Sequence, residues 1–242
     1  MTDQGQSEVL GFILVFAIIV STIGLVFATG FSGLADMRDV ERVNNAQRAF
    51  EVLADNVEDL TFRNAPSRAT EIKLAESTLE IADPIEVEVN ATGTNGFNTT
   101  YDTRPIVFDA DTGTEIVFSQ GAVIRQQGND GVVVHESTLL INDSRSVLPV
   151  VQTRLAGDDV VSGSTSVLIR MDRAETSVDY SDRSGSRTVW YNLTTPRAGI
   201  WEQHLTTRGD VDTCIVNNNN VSCRFTTDRI YIVSVKIDAA LE

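Results

Sequence analysis

The sequence predicts an α+β protein, a long N-terminal helix with a transmembrane half and an amphipathic half, followed by a mainly antiparallel β-sandwich or barrel-like head. Three features point to it. Val9–Ala28 is an uncharged apolar run, apolar residues then recur every three or four positions as far as Leu60, and beyond Pro66 the period of alternation drops to two. A chain of 242 residues has the length for a packed core in such a head, in one or two domains.

The apolar run comes first. About 20 residues at 1.5 Å each reach across a hydrocarbon core of about 30 Å. The residues ahead of it, Met1-Thr2-Asp3-Gln4-Gly5, include no Lys or Arg, unlike the basic start of a conventional cleaved secretory signal. Within the run Ala17, Ser21, Gly24 and Ala28 fall four, three and four positions apart, which puts small side chains on one helix face. In a bilayer or a filament core such a strip lets helices approach closely. A plain single-pass anchor is the competing reading of the same strip.

Leu34, Met37, Val40, Val43, Ala46, Phe50, Leu53, Val57 and Leu60 continue the helical period among Asp, Glu, Arg and Asn. With no proline between Gly33 and Pro66, one helix from about Glu8 to Phe62 is expected, about 80 Å long, with Gly30 and Gly33 as places to bend. A juxtamembrane coiled coil gives the same pattern.

The string Gly5-Gln6-Ser7-Glu8-Val9-Leu10-Gly11-Phe12 places a glycine ahead of the apolar helix. Over about the first 30 residues the chain resembles archaeal type IV pilins with a class III signal. The resemblance implies that a prepilin peptidase cuts after Gly5 on the cytoplasmic side and leaves Gln6 as the first mature residue. Residues 1–5 are then a cytoplasmic leader, 6–64 a pilin-like helix with 9–28 transmembrane, and 65–242 an extracellular β-rich head. It also implies self-association and packing with other pilin-like subunits through the helix. The molecule would sit in the membrane before assembly, head outside, and in a surface filament afterwards, with adhesion or surface assembly as its role. Family members often carry Lys or Arg where this chain has Gln4, and bacterial-type pilins have a glutamate at the fifth mature position, whereas Glu8 would be third. Once cut, the amine of Gln6 would pair with Glu8 of a neighbouring subunit and neutralise both charges in an apolar core.

After Pro66, strands with one wet face are predicted at 71–74, 78–81 and 85–89, then at 106–108, 115–118, 122–125, 132–134 and 138–141. Four more follow at 148–151, 166–171, 188–192 and 230–237. Segments 115–118 and 121–125 look like uncharacterised haloarchaeal pilin-like proteins, a looser match that implies no activity. One helix interrupts the strands, capped by Thr195, with Pro196 at its first position, Ile200, Trp201 and Leu205 on its apolar face, and Gly209 at its end.

Asp and Glu total 34 against 19 Lys and Arg, a net charge of −15, so nucleic acid is excluded as a partner by repulsion. The only lysines are Lys73 and Lys236. An acidic, lysine-poor surface holds water and cations at high ionic strength and resembles proteins of salt-loving archaea. Any acidic extracellular protein has a similar balance.

Cys214 and Cys223 flank a turn at 217–220 that sets Val216 opposite Val221, so the cysteines face each other across a hairpin. Their oxidation implies a head outside the cytoplasm, with two buried thiols as the alternative. Five Asn-X-Ser/Thr sequons, at Asn90, Asn98, Asn142, Asn192 and Asn220, all follow the long helix. They are N-glycosylation candidates and are expected in loops, Asn192 excepted.

His135 and His204 are the only histidines, and the chain lacks a Gly-X-Ser-X-Gly elbow, a phosphate-cradling glycine loop and a dinucleotide fingerprint. Asp109, Asp111, Gly113 and Glu115 depart from the EF-hand order and read as a turn between strands. No catalytic residue, cofactor or metal is expected. The competing functional readings are an uncut single-pass surface protein whose head binds a ligand and, third, an extracellular enzyme.

Overall fold

The structure is a computed structural model that describes residues 3–93, 96–208 and 210–242, without the side chains of 3–8 and 29–36. The chain divides into two compact units, Met1–Asn44 and Asn45–Glu242. Helix α1 (Asp3–Phe62) begins earlier than the predicted Glu8, ends at the predicted Phe62 and runs on through Gly30 and Gly33.

In the second unit the helix is followed by β1 (Ser67–Lys73), β2 (Ser77–Ile81), β3 (Ile85–Ala91), β4 (Phe97–Thr103) and β5 (Ile106–Ala110). Next come β6 (Thr114–Ser119), β7 (Ala122–Gln127), β8 (Asp130–His135), β9 (Ser146–Leu155) and β10 (Val160–Gly163). Strands β11 (Ser166–Asp182) and β12 (Arg187–Thr194) lead into α2 (Ala198–Thr206), and β13 (Thr213–Asn217), β14 (Asn220–Thr227) and β15 (Ile230–Leu241) complete the chain. They form a four-stranded sheet in the order β1-β11-β15-β9, a six-stranded sheet β10-β2-β5-β6-β7-β8 and a five-stranded sheet β13-β14-β12-β3-β4. The named pairs are antiparallel except β15 with β9, in line with a mainly antiparallel head.

Alternation explains how these sheets stack. Val87, Val89, Val189, Tyr191, Leu193, Val221 and Phe225 of the five-stranded sheet share one core with Val107, Val117 and Ile124 of the six-stranded sheet and with Leu148, Val150 and Ile232 of the four-stranded one. Trp201 and Leu205 of α2 join that core. Gly131 of β8 makes room for the helix, because a Cβ there would lie 2.5 Å from Ile200 Cδ1. The strand neighbours of these residues, Ile106, Phe108, Ile116, Phe118 and Val123, point to the opposite face and are buried too. The six-stranded sheet is therefore covered on both sides.

The second cover is the end of α1. Ala46, Phe50, Leu53, Ala54, Val57 and Leu60 form a buried stripe at helical spacing. Polar contacts tie this segment to the strands: Arg125 Nη1 donates to Gln47 Oε1 at 3.2 Å and Asn56 Nδ2 to Thr70 Oγ1 at 2.9 Å. Arg68 pairs with Asp59 at 2.9 Å and, by that hydrogen bond, holds the Asp59 carboxyl below its usual range. Asn64, in the left-handed region at φ +59°, turns the chain out of the helix, and Arg173 Nη1 donates to the Leu60 carbonyl in the last turn at 3.3 Å.

Several elements differ from expectation. Segment 138–141 forms only a bridge between Leu140 and Val147, and Arg208 donates to the neighbouring Ser137 and Leu139 carbonyls. β4 escapes the alternation pattern because its inward positions alternate aromatic residues with threonine, Phe97, Thr99, Tyr101 and Thr103. β10, Val-Val-Ser-Gly, has no apolar-polar alternation to read. β11 runs well beyond the predicted 171, with bulges at Arg173/Glu175 and Val178/Tyr180. α2 starts at Ala198 and not at Pro196, since Thr195 Oγ1 accepts from Arg197 N at 3.3 Å and makes a turn ahead of the helix in place of a cap. Gly209, the predicted helix end, lies outside the described residues.

Phe50 is fully buried in the α1 stripe. Phe50→Ala in the full chain in detergent is expected to cost about 3–5 kcal/mol of unfolding free energy, read by denaturant titration of the head's tryptophan fluorescence.

Candidate functional site

Residues 9–28 have the composition and length of a membrane span, with a mean hydropathy of 2.8 and none of the segment buried. Its large side chains are 50–72 % exposed, a continuous apolar surface that water does not favour. Ala17, Ser21, Gly24 and Ala28 are all exposed, and a Cβ built at Gly24 meets open space. At 100° per residue these four lie within an arc of about 60°, so the backbone is bare along one line. Thr22 closes its hydroxyl onto the Ile18 carbonyl at 2.6 Å. The helix backbone includes Gly5, Gln6 and Glu8, and the side chains of Gln6 and Glu8 lie outside the described residues.

In the second unit the cysteine pair is a disulfide, with Cα atoms 4.1 Å apart, and Cys214 lies opposite Cys223 as the hairpin register requires. Val216 faces Val221 as expected, while Asn217 pairs with Asn220, so the turn is the two residues Asn218 and Asn219 and not four. Asn218 at φ +53° supplies the positive dihedral that a two-residue hairpin needs.

Asn142, in a loop, and Asn192, in a strand, lie as expected, whereas Asn90, Asn98 and Asn220 do not. Only Asn142 is in a loop: its Oδ1 accepts from Ser144 N at 3.0 Å and Ser144 Oγ at 2.7 Å, and its Nδ2 donates to Asp210 at 2.8 Å. Asn90, Asn98, Asn192 and Asn220 lie in β3, β4, β12 and β14, all in the five-stranded sheet. Asn98 is exposed and the other three are half-buried. Loop placement fails because Thr and Asn are tolerated on the wet face of a strand, where sequence alone shows only polarity.

Asp109 and Glu115 are cross-strand partners on β5 and β6, and Asp111 and Gly113 form the tight turn between them, with Gly113 N donating to Ala110 O at 2.9 Å. Burial, then the charges of Glu115 and Asp111, raise the Asp109 carboxyl above its usual range. Glu115 is taken by Arg197. Among the described residues no group of three or more His, Cys, Asp and Glu is placed to hold a metal ion. Asp109 and Glu115, with Glu80 and Asp83, line an open cleft of about 520 Å³ beside the turn before α2.

His135 is half-buried at the end of β8. His204 is buried on α2, with Nε2 3.3 Å from Ser137 Oγ and its ring edge-on to Trp201 at 5.8 Å. Ser137 is itself only 4 % exposed, so the pair holds α2 to the 137–139 segment and does not present a nucleophile. The arginines of this unit gave no motif in the sequence, yet Arg208 binds Ser137 O, Leu139 O and Glu136, and buried Arg187 pairs with Asp182. Their only advance signal is the preference for arginine over lysine.

Residues 4–240 match a family described as a family of unknown function, DUF7289. An uncharacterised protein of Archaeoglobus fulgidus is 30% identical over 100 residues, which make up 40% of this chain and 33% of that protein, so the similarity spans about a third of the relative's length. No solved structure matches.

Burial first, and the Arg208 charge second, push the His204 imidazole down to about 4. As pH falls from about 6.5 the unfolded chain takes up this proton before the folded one does, so stability drops across the window from about 6.5 to about 4. His204→Gln keeps a partner for Ser137 and is expected to flatten that part of the stability-against-pH curve, measured by thermal unfolding at each pH. Reduction of Cys214–Cys223 is expected to lower stability by about 2–3 kcal/mol, read as a shift in denaturant midpoint with and without dithiothreitol.

Proposed function

We propose, from the premise that this chain belongs to the DUF7289 family, that it is a type IV pilin-like structural subunit or minor pilin of an archaeal cell-surface filament. One observation carries the reading: a single helix, Asp3–Phe62, combines a fully exposed apolar span bearing a small-residue line with a distal stripe that belongs to a β-rich head. Such a span needs lipid or other helices around it, and the line of Ala17, Ser21, Gly24 and Ala28 favours helices. The Gly5-Gln6 junction ahead of it supports processing by a prepilin peptidase.

In this reading the subunit waits in the membrane as a single-pass protein, head outside, and enters the filament by packing on copies of itself or on related subunits. The head serves adhesion or surface assembly, and no catalytic step is assigned to it. The disulfide supports an oxidising compartment. The acidic, lysine-poor composition supports a saline one. The second reading, an uncleaved single-pass anchor whose head binds a ligand, is favoured by Gln4 in place of a basic residue and by the cleft of about 520 Å³.

Mass spectrometry of the native N-terminus separates the readings. A chain beginning at Gln6 is expected. One retaining Met1 supports the anchor, and one beginning beyond Ala28 overturns both. Gly24→Leu, which fills the bare line on the helix, is expected to abolish immunogold labelling of surface fibres while leaving the protein in the membrane. Fibres labelled as strongly as with the unaltered chain would remove the small-residue line as the packing face.

A further inference from the structure

We infer that the outward face of the five-stranded sheet is a glycan-bearing face, with the asparagines of four sequons as the acceptors. The inner face of this sheet packs into the core, and its outer face is exposed at Asn98, Thr100, Thr213, Ile215 and Arg224. Two cross-strand rows show the arrangement. Thr213, Arg224, Trp190, Asn90 and Asn98 are successive partners across all five strands, and Ile215, Ser222, Asn192, Glu88 and Thr100 form the next row. Asn220 and Thr194 are partners in the row after that.

Strand geometry puts both polar side chains of each sequon on one face. Residues i and i+2 of a strand point the same way, so each acceptor asparagine and its hydroxyl partner share the outer face. Asn98 goes with Thr100, Asn192 with Thr194, Asn220 with Ser222, and Asn90 with Thr92 at the end of β3. Sequons of adjacent strands also interlock: Asn192 is the cross-strand partner of Ser222, and Asn220 of Thr194. Trp190 adds a second feature. It is a half-buried indole on a face whose only other apolar member in these rows is Ile215, directly opposite Asn90 and two residues from Asn192. An indole ring offers a flat apolar surface on which the C–H face of a sugar packs, and a glycan on a neighbouring asparagine would cover it.

The step is N-glycosidic transfer from a polyprenyl-phosphate-linked saccharide. The asparagine Nδ2 attacks the anomeric carbon, and the N–C bond forms as the bond from that carbon to the phosphate oxygen breaks. The lipid phosphate leaves with the bonding electron pair, and the amide proton passes to it. Acceptor nitrogens differ in availability. Asn98 is exposed on the edge strand β4, whereas Asn192 Nδ2 donates to Glu88 Oε2 at 2.9 Å and Asn220 Nδ2 to Thr194 Oγ1 at 3.1 Å. Transfer at those two precedes closure of the sheet, and Asn98 has the highest occupancy.

The inference rests on the outward placement of the head proposed above, and not on filament assembly. The full-length protein is purified from an archaeal expression host and from the same host lacking its oligosaccharyltransferase. Glycopeptides are then mapped with electron-transfer fragmentation, which separates Asn90 from Asn98. Expected are sugars on Asn98 and on at least one of Asn90, Asn192 and Asn220, all lost in the transferase-deficient host. Thr100→Val, which keeps a β-branched residue on the exposed strand position, is expected to remove the sugar from Asn98 alone; an undiminished sugar there overturns the pairing of that asparagine with its hydroxyl. An unmodified Asn98, or sugar confined to the loop sequon at Asn142, overturns the proposal. Unmodified sequons with an oxidised Cys214–Cys223 pair remove the glycan face only, whereas unmodified sequons with free thiols remove the outward placement as well.

Discussion

Burial of the stripe from Ala46 to Leu60 on α1 is the constraint from which the architecture of the head follows. The six-stranded sheet carries apolar side chains on both faces, with Val107, Val117 and Ile124 toward the five-stranded sheet and Phe108, Ile116 and Phe118 away from it. A sheet apolar on both sides needs two covers. The five-stranded sheet with α2 supplies one and the end of α1 the other, each large buried side chain contributing about 1.5–3 kcal/mol of transfer free energy. The helix must then stop where the sheets stop, and Asn64 in the left-handed region with Arg173 on the Leu60 carbonyl ends it there.

Three arginines of this head donate to backbone carbonyls outside the ladders. Arg208 spans the strandless 137–139 segment, Arg173 closes a helix end, and Arg187 reaches the carbonyls of Gly185 and Asp228 while pairing with Asp182. A guanidinium offers five donors in a planar fork and stays charged when buried, which an ammonium does not match. The two lysines have no such work: Lys236 meets Glu175 at the surface and Lys73 ends an edge strand. The arginine-rich composition thus has a structural meaning in addition to any meaning for solubility in salt.

Two exposed surfaces of opposite chemistry mark the molecule. One is the apolar wall of residues 9–28, where a bare backbone line interrupts bulky aliphatic and aromatic side chains. The other is the outer face of the five-stranded sheet, polar except for Trp190 and Ile215 and ordered in rows of Asn, Thr, Ser and Glu. The first is disfavoured in water and the second is well solvated, so each is suited to a different neighbour.

The long helix, its change of character after Ala28 and the β-rich remainder were legible in the sequence because they are periodic, and local period reflects which side of an element meets water. The hairpin of Cys214 and Cys223 was legible for the same reason, as alternation on either side of an asparagine turn specifies its register. What only the tertiary structure decided depends on partners distant in the chain. Segment 138–141 has a strand's alternation but found only the Leu140–Val147 bridge to pair with, and β10 became a strand because the edge of β2 was there to pair with it. Four sequons met on one face because β3, β4, β12 and β14, drawn from separate stretches of chain, assemble in a single sheet, and strand order is set by which apolar faces can be buried together.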